Sequence, residues 1–566
     1  MSDKSIAPFR CILLPLVFAG SAAFAQTPPG ADTILRETET LRPPPEPPRQ
    51  EPLPLPEQPP AEGAAIEGAE ETLFIRAFRV EHPEPLDAAE VEAALAPYAG
   101  RALTMAEIDA AVRVVTALYH ARGFYLAQAS LPPQDARDGT LSIQVTIGRY
   151  GAIRIRNEAP VREGLVRDIF AELEGETARR KTLERALLLA SDLPGVRLPG
   201  IATRPGEQPG TMDMDITIHP DKRLGGFVLY DNQGSRYTGR DRVGAGVHWN
   251  SPLGLGDRLS LSGVYGHGES RHTGDARLSY ALPVSPVFRI EMELDHSDYA
   301  LGDQYEALDA TGTADSVELG ARYTALRGQD RTLTFGARFI SRRLQDDFGL
   351  VDETTKKTLA HGTLDVRLEQ WGRIGGRPLR GVARLAYTHG SLHYEDATQR
   401  AANRRGANTE GVFQKLAFSG SLDVAATPRW NLSAALAVQQ ALGKSLAGSE
   451  QIGLTGADAV RVYRESISAD SGYTVRVEAR AALPPLAGVS HSASVFADYG
   501  RGWFERPEYV LENGVATADI GLGYYAAHGP LFLRAAVAHK VGPRPDERLA
   551  KRDGNTHLLV QIGATF

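Results

Sequence analysis

The residue whose type and setting most invite chemistry is Arg461, in the tetrapeptide Val460-Arg461-Val462-Tyr463. A lone arginine in a loop is usually solvated, but one set between apolar side chains is placed to be buried. Once buried, its guanidinium needs a carboxylate, and a bidentate pair fixes geometry as well as charge. The best partner is Asp498, an acid inside the largely apolar run Val495-Phe-Ala-Asp-Tyr-Gly500. Such a pair is an anchor and breaks no bonds. The chain has no G-x-S-x-G elbow, no H-E-x-x-H and no phosphate loop. Its 14 histidines are scattered without metal-ligand spacing. His267 and His272 flank a hairpin turn and read as solvated, and the pair Asp346-Asp347 reads as solvated loop charge. Enzymatic activity, a cofactor and a metal site are therefore not expected.

The elements that must position Arg461 have a different rhythm from the stretch that carries it. Gly456 to Arg480 (GADAVRVYRESISADSGYTVRVEAR) reads as a long charged loop, and long loops without structure of their own are usually functional or disordered. Around it, from Lys222 to Phe566, apolar and polar residues alternate in about sixteen segments of roughly 8 to 14 residues, a length suited to tilted transmembrane strands. Clear examples are Arg258 to Tyr265, Thr332 to Ser341, Thr358 to Leu368 and Phe532 to His539. A soluble β-sandwich has too few strands for this series. The last segment, His557 to Phe566, ends on an aromatic residue. The expected fold is mainly β, a sixteen-stranded transmembrane barrel over residues 221–566. A barrel that wide encloses a water-filled channel. Something must occupy the lumen, and the loop 456–473 is the candidate, with Asp498 on the lumen wall because facing lipid would be costly.

The N-terminal part supports an envelope location. Lys4 and Arg10 precede the apolar run Ile12 to Gly20, and Ala23-Phe24-Ala25 forms a cleavage site, so residues 1–25 read as a secretory signal. Cleavage there removes Cys11, the only cysteine. A net charge of −8 gives no reason to expect nucleic acid. Residues 26–68 hold Ala31 to Arg42, with the makings of about three helical turns that alone would be marginal. A disordered tail fits that segment at least as well. The proline-rich run Pro43 to Pro60 follows as a stiff spacer. Two α+β modules come next, 69–149 and 150–220. In the first, Leu73 to Glu81 alternates as a strand, and Asp87 to Ala96 and Met105 to Arg122 have helical periodicity. Asp87 can cap the first helix, and Thr104 with Glu107 makes a capping box for the second. Strands Phe124 to Leu131 and Thr140 to Ile147 complete the order β-α-α-β-β, which the second module repeats. Each module offers a sheet edge to which an extended polypeptide can add itself as a strand. The adjoining groove is expected to present Leu118, Tyr119, Phe124, Leu131 and Leu141 to a client.

Taken together these residues resemble the outer-membrane transporters of two-partner secretion, the hemolysin secretion and activation family, with nearly the whole mature chain covered. Leu118-Tyr119, Arg122-Gly123-Phe124, Leu131-Pro-Pro-Gln-Asp135 and Asp138-Gly139-Thr-Leu141 are similar to the POTRA pattern, and Leu193-Pro-Gly195 matches in the second module. At the barrel start, Tyr230-Asp-Asn-Gln-Gly234 and Asn250-Ser-Pro-Leu-Gly-Leu-Gly-Asp257 are close to the family signature, through Asp231, Asn232, Gly234, Pro252, Gly254, Gly256 and Asp257. The family's V-R-G-Y loop motif carries over at Arg461 and Tyr463, with Val462 where the pattern has glycine. Asp498 matches the strand acid. The resemblance implies that Ala31 to Arg42 is a plug helix and that the client is a large, mostly β-helical exoprotein with an N-terminal secretion domain. It further implies a monomer in the Gram-negative outer membrane, in contact with its lipid, with the POTRA modules in the periplasm and insertion by the barrel-assembly machinery. An insertase of other barrels, a passive porin and a surface adhesin share part of these features.

Overall fold

The structure is a computed structural model that describes residues 29–38, 72–81, 84–268, 271–464, 466–506, 513–542 and 554–566. The expected secretory signal, Cys11 and the proline-rich spacer lie outside these residues. The first helix is α1 (Ala31–Thr38).

In the first module β1 (Thr72–Ile75), β2 (Ala77–Glu81), α2 (Ala88–Leu95), β3 (Arg101–Thr104), α3 (Met105–Ala121), β4 (Gln128–Ser130) and β5 (Thr140–Thr146) follow one another. Asp87 accepts the Ala89 amide at α2, and Thr104 with Glu107 closes the expected capping box at α3. The single strand expected over Leu73 to Glu81 is instead two strands. At Arg76 the backbone amide turns aside to the Gly139 carbonyl (2.7 Å). As a result β1 pairs antiparallel with the short β3, and β2 pairs parallel with β5 in a sheet ordered β2-β5-β4. The core joins Val91, Leu95, Val115, Tyr119, Phe124 and Ile143. This corrects the expected client surface. Tyr119, Phe124 and Leu141 are buried, and Leu118 and Leu131 pack half-buried against the core. Apolar side chains this large are needed to hold so small a module together.

The second module contains β6 (Arg149–Asn157), α4 (Glu163–Ala171), α5 (Arg180–Ser191), β7 (Val196–Pro205) and β8 (Thr211–Pro220), with sheet order β6-β8-β7. Leu165, Phe170, Leu183, Leu187, Met214 and Ile216 fill its interior.

The barrel then runs through β9 (Leu224–Asp231), β10 (Asp241–Asn250), β11 (Arg258–Gly268), β12 (Arg271–Ser285), β13 (Phe288–Ala300), β14 (Ala310–Arg327), β15 (Arg331–Phe348) and β16 (Glu353–Ile374). It continues with β17 (Arg377–Tyr394) and β18 (Gly411–Ala425), joined by α6 (Ala397–Arg405), and then β19 (Trp430–Ala441). The inturned loop carries the two-residue strands β20 (Ile452–Gly453) and β21 (Ser468–Ala469). The last wall strands are β22 (Ser471–Ala482), β23 (Ser490–Trp503), β24 (Val515–His528), β25 (Leu531–Lys540) and β26 (Thr556–Thr565). Sixteen of these close into one barrel, the expected architecture, with β26 returning to β9. Outward positions form an exposed apolar belt that includes Val228, Leu261, Leu319, Phe339, Leu432 and Leu522. Several strands exceed the expected length. On β16 the outward Leu364, Val366, Leu368 and Ile374 give way to outward Thr354 and Lys356, so the strand continues beyond the belt.

The loop expected over Gly456 to Arg480 also needs correcting. It spans 442–470, and β22 begins at Ser471. Arg476, Glu478 and Arg480 are alternate residues of a strand whose inner face is polar, and a polar face read without its barrel resembles a loop.

Candidate functional site

The site is a row of charges on the inner wall and the loop seated on it. Antiparallel register places Arg476 of β22 beside Asp498 of β23, Asp498 beside Asp519 of β24, and Asp519 beside Lys540 of β25. Alternation turns all four into the lumen together with Phe496 and Glu478. Above this row the loop turns at Gly456, whose φ of +107° favours glycine.

Arg461 points down into the wall. Its Nε donates to Asp498 Oδ2 at 2.7 Å and its Nη2 to Oδ1 at 3.2 Å, the expected bidentate pair. Nη1 reaches Glu478 Oε2 at 3.3 Å, and the guanidinium lies over the Phe496 ring. With two acids and an aromatic face around it, the cation is compensated as a desolvated charge must be. Val460 and Val462 are fully buried and pack with Phe496, Ala538 and Leu559. Val462 is not among the residues with positive φ, so a β-branched side chain fits where the family pattern has glycine. Its amide donates to Asp519 Oδ2 (2.8 Å), and its carbonyl accepts from His557 Nδ1 (2.6 Å). Tyr463 lies next, with Lys540 Nζ 4.8 Å from its ring centroid. Each residue of the motif thus meets its own wall partner, of which sequence reasoning found Asp498 and missed Asp519 and Lys540.

The same loop has a second anchor. Glu450, buried in a 3-10 turn at Gly448–Glu450, meets Lys415 (2.9 Å), Arg342 (3.5 Å) and His361 (3.5 Å). Burial raises its pKa, but Lys415 first, then His361 and Arg342, outweigh this and bring the carboxyl down to about 2. Helix α1 lies inside the barrel against this turn. Asp32 accepts the Gly448 amide (2.9 Å), and Arg36 donates to the Gly448 carbonyl and to Ser466 Oγ (2.9 Å). Ala31, Ile34 and Leu35 are buried among Tyr237, Tyr299, Leu301 and Leu344. The Ala31 amide donates to Asp346 Oδ1 (2.6 Å), which also receives the Tyr299 hydroxyl, while Lys357 binds the other oxygen (2.9 Å). The reading of Asp346 as a solvated loop charge is therefore wrong. It stands on β15 facing the lumen, and nothing in its local sequence distinguishes an inward acid from a solvated one. Asp32 is held below the usual carboxylate range. Burial opposes this, and Lys357, the Gly448 and Thr33 amides and Arg36 overcome it.

The seven signature residues do not join Arg461 but build two other places. Asp231 pairs with Arg242 inside the barrel (3.0 Å). Asn232 crosses to the last strand, donating to the Leu558 carbonyl and accepting the Val560 amide. A Cβ on Gly234 would lie 2.1 Å from the Gly239 carbonyl oxygen, so the turn closes only with glycine there. Ser251 to Asp257, with Pro252, Gly254 and Gly256, forms the β10–β11 turn. Asp257 is fully buried, accepting the Leu255 amide (3.1 Å) and the Tyr280 hydroxyl (2.9 Å). Ser251 Oγ donates to the Pro194 carbonyl, and Gly256 packs against Leu165 and Leu193, so this turn seats the second module. Arg327 adds a bidentate bond to Asp192 (2.6 and 2.8 Å). Among the described residues, no group of three or more His, Cys, Asp or Glu is placed to hold a metal.

Residues 210–524 match the family model of haemolysin secretion/activation proteins ShlB/FhaC/HecB, and residues 73–148 match the ShlB-type POTRA domain. The heme/hemopexin transporter protein HuxB of Haemophilus influenzae is 24% identical over 422 residues, 74% of each chain. The outer membrane transporter CdiB of Escherichia coli is 27% identical over 433 residues, 74% of this chain and 70% of the relative. The solved structure of Escherichia coli CdiB superimposes with a TM-score of 0.70 at 21% identity, covering 90% of this chain and 93% of that one, a likeness of fold.

Proposed function

The chain belongs to the haemolysin secretion/activation family, and on that premise we propose how its modules, barrel and loop divide the work of export. It is an outer-membrane transporter of the two-partner secretion type, with POTRA modules in the periplasm and an exoprotein as its partner. The observation that carries the division of labour is that the lumen of a sixteen-stranded barrel holds two of the chain's own segments, α1 and the loop 442–470, each seated by a small apolar cluster together with charged side chains that reach the wall.

In this reading residues 1–25 are a cleaved secretory signal, and 69–149 and 150–220 are both POTRA modules, the second supported by its own β-α-α-β-β order. The exoprotein, large and carrying an N-terminal secretion domain, arrives unfolded. It adds itself as a strand to an edge of the first module's sheet, whose outer strands among the described residues are β2 and β4. Transit requires α1 and the loop to yield. No nucleotide is available in the periplasm, so folding outside supplies the drive. The barrel contacts lipid through its apolar belt, is inserted by the barrel-assembly machinery, and works as a monomer.

Deleting the protein in its native host and comparing surface and medium proteomes with the parent tests this. Loss of one very large exoprotein with other barrels unchanged is the expected result. A broad fall in outer-membrane proteins would assign an insertase instead, and a change confined to small-solute uptake would assign a porin.

A further inference from the structure

Asp519 and Lys540 are adjacent in register on β24 and β25. Facing one way from neighbouring strands, such residues have Cβ atoms about 5 Å apart. Both are almost completely buried, at 1% and 3% exposure, and one is an acid and the other a base. Yet no ion pair joins them. Asp519 Oδ1 and Lys540 Nζ each have no hydrogen-bond partner among the described residues. The seated loop engages both side chains. Asp519 turns its other oxygen to the Val462 amide, and Lys540 turns its ammonium to the Tyr463 ring. A buried acid and a buried base left incompletely satisfied are costly, and a contact that would satisfy both lies one strand away.

We propose that Asp519 and Lys540 are positioning residues for the loop, holding Val462 and Tyr463 while it is seated and closing into an ion pair of their own when it leaves. The wall then competes with the loop for the same two side chains. Arg461–Asp498 favours the seated arrangement, and the Asp519–Lys540 pair favours the withdrawn one. Two discrete packings of one element, separated by a small difference, are what a switch requires. The neighbouring charges fit this division: Arg476 Nε faces Asp498 at 3.6 Å, so the acid that Arg461 leaves has a second cation beside it. The inference rests on the transport reading only in supposing that the loop leaves its seat.

A zero-length carbodiimide reads the pair directly. It activates the Asp519 carboxyl, the Lys540 amine attacks, an amide forms and the urea departs. Purified protein carrying Arg461→Ala is expected to give the Asp519–Lys540 cross-linked peptide in at least about fivefold higher yield than the parent. Equal yields in the two proteins, or no cross-link in either, would overturn the proposal. Single-channel recording supplies a second readout. Lys540→Met is expected to lower the fraction of time spent in the open state by about fivefold, with Lys540→Arg within about twofold of the parent. Asp519→Asn with Lys540→Met should match Lys540→Met alone, because both act through one pair. A rise in opening, or additive effects, would show that the two residues only brace the seated loop. An absent cross-link alongside lost export in Arg461→Ala sinks the wall pair alone, whereas intact export in that variant sinks the role of the loop.

Discussion

The guanidinium carbon of Arg461 lies 3.7 Å from the centroid of the Phe496 ring. Phe496 and Asp498 are two residues apart on one strand and face the same way, so a single wall strand offers the cation both an apolar face and a bidentate carboxylate. A cation–π contact in a desolvated place adds about 2 kcal/mol or more to the ion pair.

Arg461→Ala leaves Asp498 buried without its main partner, and breaking a buried pair costs about 3–5 kcal/mol. The loop should leave the wall and export should fall. Arg461→Lys should not restore it, since an ammonium neither forks to two oxygens nor stacks on a ring. Protease cleavage within 442–470 in both variants, set beside exoprotein in the medium, checks this. Full export with Arg461→Ala would remove the loop from the mechanism.

Acid should loosen α1 and the turn it rests on. Asp32 and Glu450 both have lowered folded-state pKa values, Glu450 about 2. Their stabilisation is complete above the unfolded carboxylate values of about 4 and is lost as pH falls toward the folded values. Channel current in planar bilayers is therefore expected to stay constant from pH 7 to about 5 and to rise below about 4. Glu450→Gln should raise the current at pH 7, where the native carboxylate is charged.

Gly256→Val should unseat the second module from the barrel. The position has φ +73°, and a Cβ there meets Leu165, Pro283 and Leu193 at 3.3–3.5 Å. Backbone strain and crowding together cost about 1–3 kcal/mol. Faster protease cleavage between the second module and β9, with the barrel still shifting on heating in gel electrophoresis, is the expected result.

Asn232→Ala should weaken the barrel seam. Its side chain supplies two hydrogen bonds to the last strand, and losing them costs about 1–3 kcal/mol. The temperature at which the barrel unfolds in a gel-shift series should fall, while Asn232→Asp, which keeps the acceptor for Val560, should lie between.

Where one side chain's neighbours decide its face, the sequence was readable. Strand alternation marked the barrel, and an acid inside Val495 to Gly500 marked Asp498. The cap at Thr104 and Glu107 was equally visible, because its partners are three residues apart. What stayed hidden depends on the opposite wall. Asp346 and Glu450 look like ordinary charged residues until Lys357, Lys415 and α1 are brought to them. Arg476 and Glu478 read as loop because a strand lining a channel carries charges at every second place. Tyr119, Phe124 and Leu141 read equally as surface or core, because an apolar pattern alone does not say which side of a two-layer module it faces.

The seam joins residues from opposite ends of the barrel sequence. Strand β26 meets β9 over five residue pairs, from Gln561–Asp231 to Thr565–Phe227, where β9 and β10 share eight. The Asn232–Val560 contact spans 328 positions. Such a long-range closure is slow relative to hairpin formation, and it cannot begin until the final strand has been synthesised. Until then both β9 and β26, or its incomplete predecessor, are open edges able to pair with another chain. The maturing sheet must therefore be chaperoned as an open curved ribbon. Its last ten residues act as the clasp, and their truncation should leave a protein that aggregates before it reaches the membrane.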